Sequence, residues 1–415
     1  MTDDTAPSGA PPLRVLFVTW DGPQVSYLEG LFLPIFAGLG AEKVKFDVLQ
    51  FRWGDRLHRE RAANACRSAG VGYRDAPVRR WGGGAGPLFS AILGGRHVRA
   101  AVRAFGSDVI MPRSMMPGIA TLAAGGPKLR PLLFDADGLE ADERVDVAGL
   151  SPTSATYRIL RDVEAQLVRL STSIITRTQR AAEILTDRTG PPSKLSSFHV
   201  VANGRDDRIF HPYDPEARAA LRRRLGIADA APLLAYAGSI GPQYGMAEMK
   251  SLFQEVRRLR PDARFLVMTG NLDRAETALK DEAGAALIMR VPPHEVAQHL
   301  AAADVGLAFR STSFSMQAVA PIKLSEYLLC GLPVIGTSGI GDTQAVVDEG
   351  LLFEGNLGAE DAALWIVNQV LPQREGYRQR ARAVGRAQFS LNRSIRDYAR
   401  ALEPFRALVQ QREAI

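Results

Sequence analysis

Cysteine is nearly missing from this 415-residue chain: Cys66 and Cys330 are its only two. Two thiols exclude a disulfide scaffold and a cysteine-built zinc site, and they suit a reducing cytoplasm. Histidine is scarce too, with six residues. No run approaches the roughly 18 consecutive apolar residues of a membrane-spanning helix. Neither sign of charge dominates, since 51 Lys and Arg against 45 Asp and Glu leave a formal charge of +6. With 46% hydrophobic and 23% charged residues, the composition excludes a disordered chain and a coiled coil. The opening stretch, Met1 to Pro12, is polar and proline-rich and reads as a loose tail, not a signal peptide. The basic balance leaves acidic partners open, whether nucleic acid, an anionic membrane face or a phosphorylated ligand. The positive charge is spread along the chain without a helix-turn-helix or RNA-module signature, so no nucleic-acid partner is expected.

What is present is alternation. Short apolar runs at Val15–Trp20, Phe46–Phe51, Asp108–Met111, Pro131–Asp135 and Ser173–Thr176 read as strands, most of them separated by helical periodicity. Pro152–Leu185 is helical around the last of these. Val200–Gly204 reads as a strand ending in a turn, and the proline-bearing Phe210–Pro215 as a linker. A second set follows at Leu233–Ala237, Phe265–Thr269, Ala286–Met289, Val305–Phe309 and Pro333–Thr337. Two successive β/α series predict an α/β protein of two doubly wound parallel sheets, with domains over 1–207 and 208–384. The charged helical stretch from about 385 to 415 either covers the second domain or crosses back to the first.

In such sheets ligands bind beyond the carboxyl ends of the strands, so the loops there carry the chemistry. The first is Trp20-Asp21-Gly22-Pro23-Gln24, where Gly22 permits close backbone approach and a plain turn explains the residues equally. The second, Gly238-Ser239-Ile240-Gly241-Pro242-Gln243-Tyr244-Gly245, suits a pyrophosphate, although a flexible strand–helix connection has the same composition. Neither is a dinucleotide fingerprint or a P-loop. The third, Pro321-Ile322-Lys323-Leu324-Ser325-Glu326-Tyr327, opens a helix with proline. Lys323 stands in its first turn, where a cation opposes the helix dipole and a bound anion would relieve it. Glu326 lies one turn on, placed for ribose hydroxyls or for a surface ion pair with Lys323.

The block Pro321 to Ile335 with Gly341-Asp342 resembles the donor-binding helix of GT-B glycosyltransferases of the GT4 (group 1) family. Val200-Val201-Ala202-Asn203-Gly204-Arg205-Asp206 with Phe210-His211-Pro212 resembles that family's interdomain segment. Tyr236–Gly241, Pro261–Phe265 and Ala302–Val305 fall in the expected order. The resemblance covers most of the C-terminal half and, more weakly, the N-terminal half. It implies two Rossmann-like domains facing across a cleft, an acceptor domain first and a nucleotide-sugar donor domain second.

On the donor side it implies Gly238, Ser239, Gly241, Tyr244, Asn271, Arg290, Val291, Pro321, Ile322, Lys323 and Glu326, with Arg290-Val291 bordering the base. Asp137 in the acidic loop Phe134–Arg144 and Arg113 of the Arg113-Ser114 pair stand with Lys323 as catalytic candidates. Asp21, Gly22, Gln24, Asp135, Gly138 and Glu143 complete the acceptor side, where the acids orient a hydroxyl, act as a base, or cap the following helix. The chain departs from the family pattern. Ala318 replaces the first glutamate of the E-x7-E pair, and Ser239 and Tyr244 stand where Arg and Lys are usual, leaving Lys323 to supply the phosphate charge.

The implied chemistry is retaining transfer of a sugar from a UDP- or GDP-sugar to a glycan or polyprenyl-linked acceptor in bacterial surface polysaccharide synthesis. It needs no metal or other cofactor, and backbone N–H groups at Gly238–Gly241 and the Pro321 turn would share the leaving charge. A nucleotide-sugar epimerase of the same architecture and a non-catalytic scaffold are the competing readings. Arg79-Arg80-Trp81, three glycines at 82–84, the apolar Leu88–Leu93 and then Arg96, Arg99 and Arg103 suit peripheral contact with an anionic inner membrane face, or an ordinary loop and half-buried helix.

Overall fold

A computed structural model describes residues 11–23, 27–81, 85–190, 197–341, 343–355 and 358–408. The chain divides into two compact units, one of Met1–Val201 with Ile395–Ile415 and one of Ala202–Ser394. The division therefore falls before the expected 207/208 boundary. Ala202–Gly204 belong with the second unit because Ser394 Oγ donates to the Ala202 carbonyl and accepts from the Gly204 N–H, while Ser325 donates to the Asn203 carbonyl.

Among the described residues the first unit holds seven strands: β1 (Leu13–Asp21), β2 (Val44–Arg52), β3 (Gly72–Pro77), β4 (Val109–Pro112), β5 (Leu133–Ala136), β6 (Ser173–Thr176) and β7 (Ser197–Val200). They run β3-β2-β1-β4 and β5-β6-β7, and parallel bridges Ile110–Leu132 and Arg113–Asp135 join the two series. The expected strand at Val200–Gly204 is corrected: pairing with β6 ends at Val200. Phe17, Phe32, Phe36 and Phe46 pack ring to ring beneath β1 and β2, and Phe36 stacks on Phe46 at 4.0 Å. The final segment completes this unit, burying Tyr398, Leu402 and Phe405.

The second unit carries β8 (Leu233–Ala237), β9 (Arg264–Met268), β10 (Ala286–Met289), β11 (Val305–Ala308), β12 (Val334–Gly336) and β13 (Leu352–Glu354). Their order is β10-β9-β8-β11-β12-β13, all parallel. β8 is buried at every position, as a parallel strand covered on both faces must be. In each unit the chain order reverses beside the first strand, between β1 and β4 and between β8 and β11. A ligand crevice forms at such a reversal, because the loops there leave the sheet in opposite directions. Among the described residues no helix is long and apolar enough to cross a membrane.

Candidate active site

At the second unit's reversal, the loop leaving β8 meets the loop leaving β11 and the helix Ile322–Leu329. Gly238 has φ of +150°, which favours glycine, and a Cβ there would lie 2.5 Å from Lys323 Cε. The missing side chain is thus the space Lys323 occupies. Lys323 Nζ sits 5.3 Å from the ring centre of Tyr236 and 4.9 Å from that of Tyr244. The Arg310 guanidinium lies 5.1 Å from the same Tyr244 ring. Burial, with Arg310 nearby, pushes the Lys323 ammonium down to about 8. Neither cation has a carboxylate within ion-pair distance among the described residues.

The anticipated Lys323–Glu326 pair does not form. Glu326 is taken by Arg205 at 3.1 Å, and burial raises its carboxyl against that pull. Pro321 precedes the helix as its cap, and the helix begins at Ile322. The expected row of free N–H groups at Gly238–Gly241 is corrected in part. The Gly238 N–H donates to the Met268 carbonyl and the Ile240 N–H to Asn271 Oδ1 at 3.0 Å. Asn271 therefore shapes this loop. Ser239 offers its carbonyl to the Tyr236 hydroxyl at 2.5 Å. Gly241 leads into a short turn, Pro242–Tyr244, ahead of the helix Met246–Leu259.

Beyond β9 and β10, Asn271, Arg274 and Arg290 line a cavity of about 270 Å³. Arg290 is exposed and donates to the Gly270 carbonyl, while Val291 packs against the unit's core. Asp342 of the Gly-Asp pair lies outside the described residues.

The first unit's carboxyl edge is built differently. Arg113 follows β4, Asp135 and Asp137 end β5, and Arg177 follows β6. Arg113 donates to Asp137 at 2.5 Å, and Arg177 donates to both Asp135 oxygens at 2.5 Å and to the Tyr398 hydroxyl. Arg177 Nε reaches Asp137 at 3.4 Å. Arg113 also lies over the rings of Tyr27 and Phe32. Burial would raise Asp137, but Arg113 and Arg177 outweigh it and hold the carboxyl below its usual range. A carboxylate so held is a weak base, and its pairs with Arg113 and Arg177 compete with the base role considered for Asp137. Burial pushes Asp135 up to about 6 against the pull of Arg177.

Asp21 is also engaged rather than open, accepting from Thr19 at 2.8 Å and from Gln50 at 3.1 Å. Gly22 lies where a Cβ would strike the Trp53 ring, and Gln24 is outside the described residues. Gly138 is a half-buried loop residue, and Glu143 is exposed in the first turn of the helix Glu140–Ala148. It is Glu140 that caps, and it caps a neighbouring helix: it accepts from the Met115 N–H at 2.9 Å and from Ser114. Ser114 holds φ of +71°, a strained value for a residue with a side chain, at the turn beside Arg113.

Arg177 and Arg310 are site residues that the sequence reading passed over. Each directly follows a run read there as a strand, Ser173–Thr176 and Val305–Phe309, and that position was the available signal.

Two parallel sheets, each doubly wound and bearing charged groups at its reversal, define the GT-B class. Residues 217–388 match the family model for glycosyl transferases group 1. A D-inositol 3-phosphate glycosyltransferase of Stackebrandtia nassauensis is 30% identical over 276 residues, which are 60% of this chain and 57% of that protein. A GDP-mannose-dependent monoacylated α-(1-6)-phosphatidylinositol monomannoside mannosyltransferase of Corynebacterium glutamicum is 28% identical over 39% of this chain and 44% of its own. The Anabaena HepE protein solved with UDP superposes with a TM-score of 0.67 at 17% identity, covering 94% of this chain and all of that one. The match to the group 1 glycosyltransferases lies within the second unit, and the chain spans little more than half the length of the first of these curated relatives.

Proposed function

We propose that this chain transfers a sugar from a nucleoside diphosphate sugar to a hydroxyl of a glycan or lipid-linked acceptor, with retention at the anomeric carbon. The observation that carries the reading is Lys323, an ammonium set in the glycine gap of the β8 loop with no carboxylate partner among the described residues. As the anomeric bond breaks, negative charge gathers on the leaving diphosphate, and a fixed cation lowers the barrier by meeting that charge without reorganising. The N–H groups of Ile322 and Lys323 at the helix start add to it. The cavity at Asn271, Arg274 and Arg290 is the place for the base and ribose. Asp137 is held as an anion by two guanidiniums, which leaves the departing phosphate as the group that accepts the acceptor's proton on the same face. No metal is required, since this chain's own cations balance the diphosphate.

The test is turnover of a panel of UDP- and GDP-sugars, followed by release of free nucleoside diphosphate and by the anomeric configuration of the product. Release with retention supports the reading. Binding without release across donors and acceptors supports a scaffold, and conversion of the donor sugar alone supports an epimerase.

A lipid-linked acceptor and a role in bacterial surface polysaccharide fit one surface of the first unit. On the helix Ala85–Phe105, the exposed Phe89, Ile92 and Leu93 are followed at helical spacing by the exposed Arg96, Arg99 and Arg103. Trp81 beside them is 54% exposed. Apolar side chains next to arginines suit an anionic bilayer surface on the cytoplasmic side. Residues 82–84 lie outside the described residues. Flotation with anionic vesicles checks this: Ile92→Glu with Leu93→Glu should leave the protein in solution, and equal flotation of the double variant would refute it.

A further inference from the structure

We propose that Arg310, in the loop leaving β11, is the second phosphate-binding cation of the donor site, paired with Lys323 across the ring of Tyr244. The inference rests on the donor reading above and names a residue that the sequence motifs did not single out.

Position is the first ground. β8 and β11 flank the reversal of the second sheet, so the residues just past each end border one crevice. The two loops are tied together, since the Ser311 N–H donates to the Gln243 carbonyl at 3.2 Å. The Arg310 backbone is fixed on its other side, where its N–H donates to Thr337 Oγ1 at 3.0 Å and its carbonyl accepts from the same hydroxyl at 2.9 Å. The loop is thus held at both ends, and the guanidinium projects from a set backbone.

Charge is the second ground. The guanidinium of Arg310 meets the Tyr244 ring and the Met316 sulfur at 3.9 Å, and no carboxylate among the described residues. Lys323 stands against the same ring. Several other arginines withdrawn from solvent meet acids, Arg113 and Arg177 at Asp135 and Asp137, Arg188 at Asp142 and Arg218 at Asp304, while Arg130 and Arg378 donate to backbone carbonyls. The acid closest in sequence to Lys323, Glu326, is held by Arg205. Two like charges set against one aromatic ring raise the energy of the empty site, and a diphosphate bound by both removes that cost.

Sequence is the third ground. Ser239 and Tyr244 occupy the places where the family resemblance implies basic residues, which leaves the site one cation short if Lys323 acts alone. Arg310 restores the missing charge from a different loop, and Tyr244 becomes the platform for both cations. The groups facing Lys323 are Arg310 from the β11 loop, Tyr236 from β8, Tyr244 from the turn before the next helix, and Glu326 on its own helix. Burial raises the Tyr236 hydroxyl, so it stays neutral. Arg310 is therefore the charged neighbour that disfavours the Lys323 ammonium in the empty site.

The experiment is calorimetric titration of the whole chain with UDP and GDP, and with uridine and guanosine as phosphate-free probes, from about pH 6 to about pH 10. It compares the unaltered chain with Arg310→Ala, Arg310→Lys and Lys323→Ala, with thermal melts to confirm folding. Arg310→Ala should weaken the bound diphosphate about tenfold or more and leave nucleoside binding unchanged. It should also move the pH at which affinity falls upward, because Lys323 is freed from repulsion. Arg310→Lys should recover part of the affinity. If Arg310→Ala binds diphosphate as tightly as the unaltered chain while Lys323→Ala does not, this inference fails and the donor reading stands. Equal loss of nucleoside and diphosphate, with no recovery in Arg310→Lys, also overturns it. If the unaltered chain binds neither diphosphate, the donor reading fails and the inference with it.

Discussion

Both sheets place cations at the carboxyl edge beside their point of reversal, and the two edges treat them in opposite ways. In the first unit Arg113 and Arg177 are met by Asp135 and Asp137, and Tyr398 takes up further donors of Arg177. In the second unit Lys323 and Arg310 face tyrosine rings, and the acid on the same helix is occupied by Arg205. A neutralised cluster holds loops in place. An unneutralised one stores an electrostatic demand that a ligand can satisfy. The lesson is that a count of charged residues near a strand end says little, whereas the balance of their partners separates scaffold from binding site.

The comparison breaks most directly at Asp135, which is fully buried against Arg177. Asp135→Ala leaves a buried guanidinium without its main partner and should destabilise the first unit by about 3–5 kcal/mol in denaturant titrations. Lys323→Ala should do the reverse, leaving stability nearly unchanged while weakening nucleoside diphosphate binding about 10- to 100-fold. A stability loss in Lys323→Ala matching that of Asp135→Ala would erase the distinction between the edges.

pH sharpens it further. The Lys323 ammonium is pushed down to about 8, and a diphosphate favours its charged form. Affinity should therefore be full below that pH and fall as pH rises through and above it, by up to about tenfold per unit. A flat titration across this range would show that Lys323 does not hold the phosphates. The smallest expected effect is at Asp137, whose side chain is 34% exposed. Asp137→Asn should cost about 1 kcal/mol of stability. It should also lower turnover less than the roughly hundredfold or more expected of a lost general base. Turnover reduced that far, with a lost basic limb, would restore Asp137 to a catalytic role.

Much of the fold was legible because parallel strands buried on both faces leave continuous apolar runs. β1, β8, β9 and β11 are of this kind. β3 was not legible, since GYRDAP has one buried residue and pairs on one side alone. β13, a three-residue strand at the sheet edge, was not read either. At the site, the Pro321 turn and the β8 loop were readable from glycine, proline and a lysine at a helix start. Arg177 and Arg310 were not, because an arginine beyond a strand carries no local mark of what it faces.

The sequence by itself determined where the backbone turns and which segments must be buried, since those follow from apolar periodicity and from residues with restricted or unusual backbone freedom. It thereby determined two β/α series and the loops that end their strands. Tertiary structure alone decided the partners: that Asp137 is clamped by two arginines, that Glu326 belongs to Arg205, and that Arg310 joins Lys323 at one ring. The physical reason is that electrostatic energy depends on distances of a few ångströms between residues far apart in the chain, and those distances exist only once the sheets have formed.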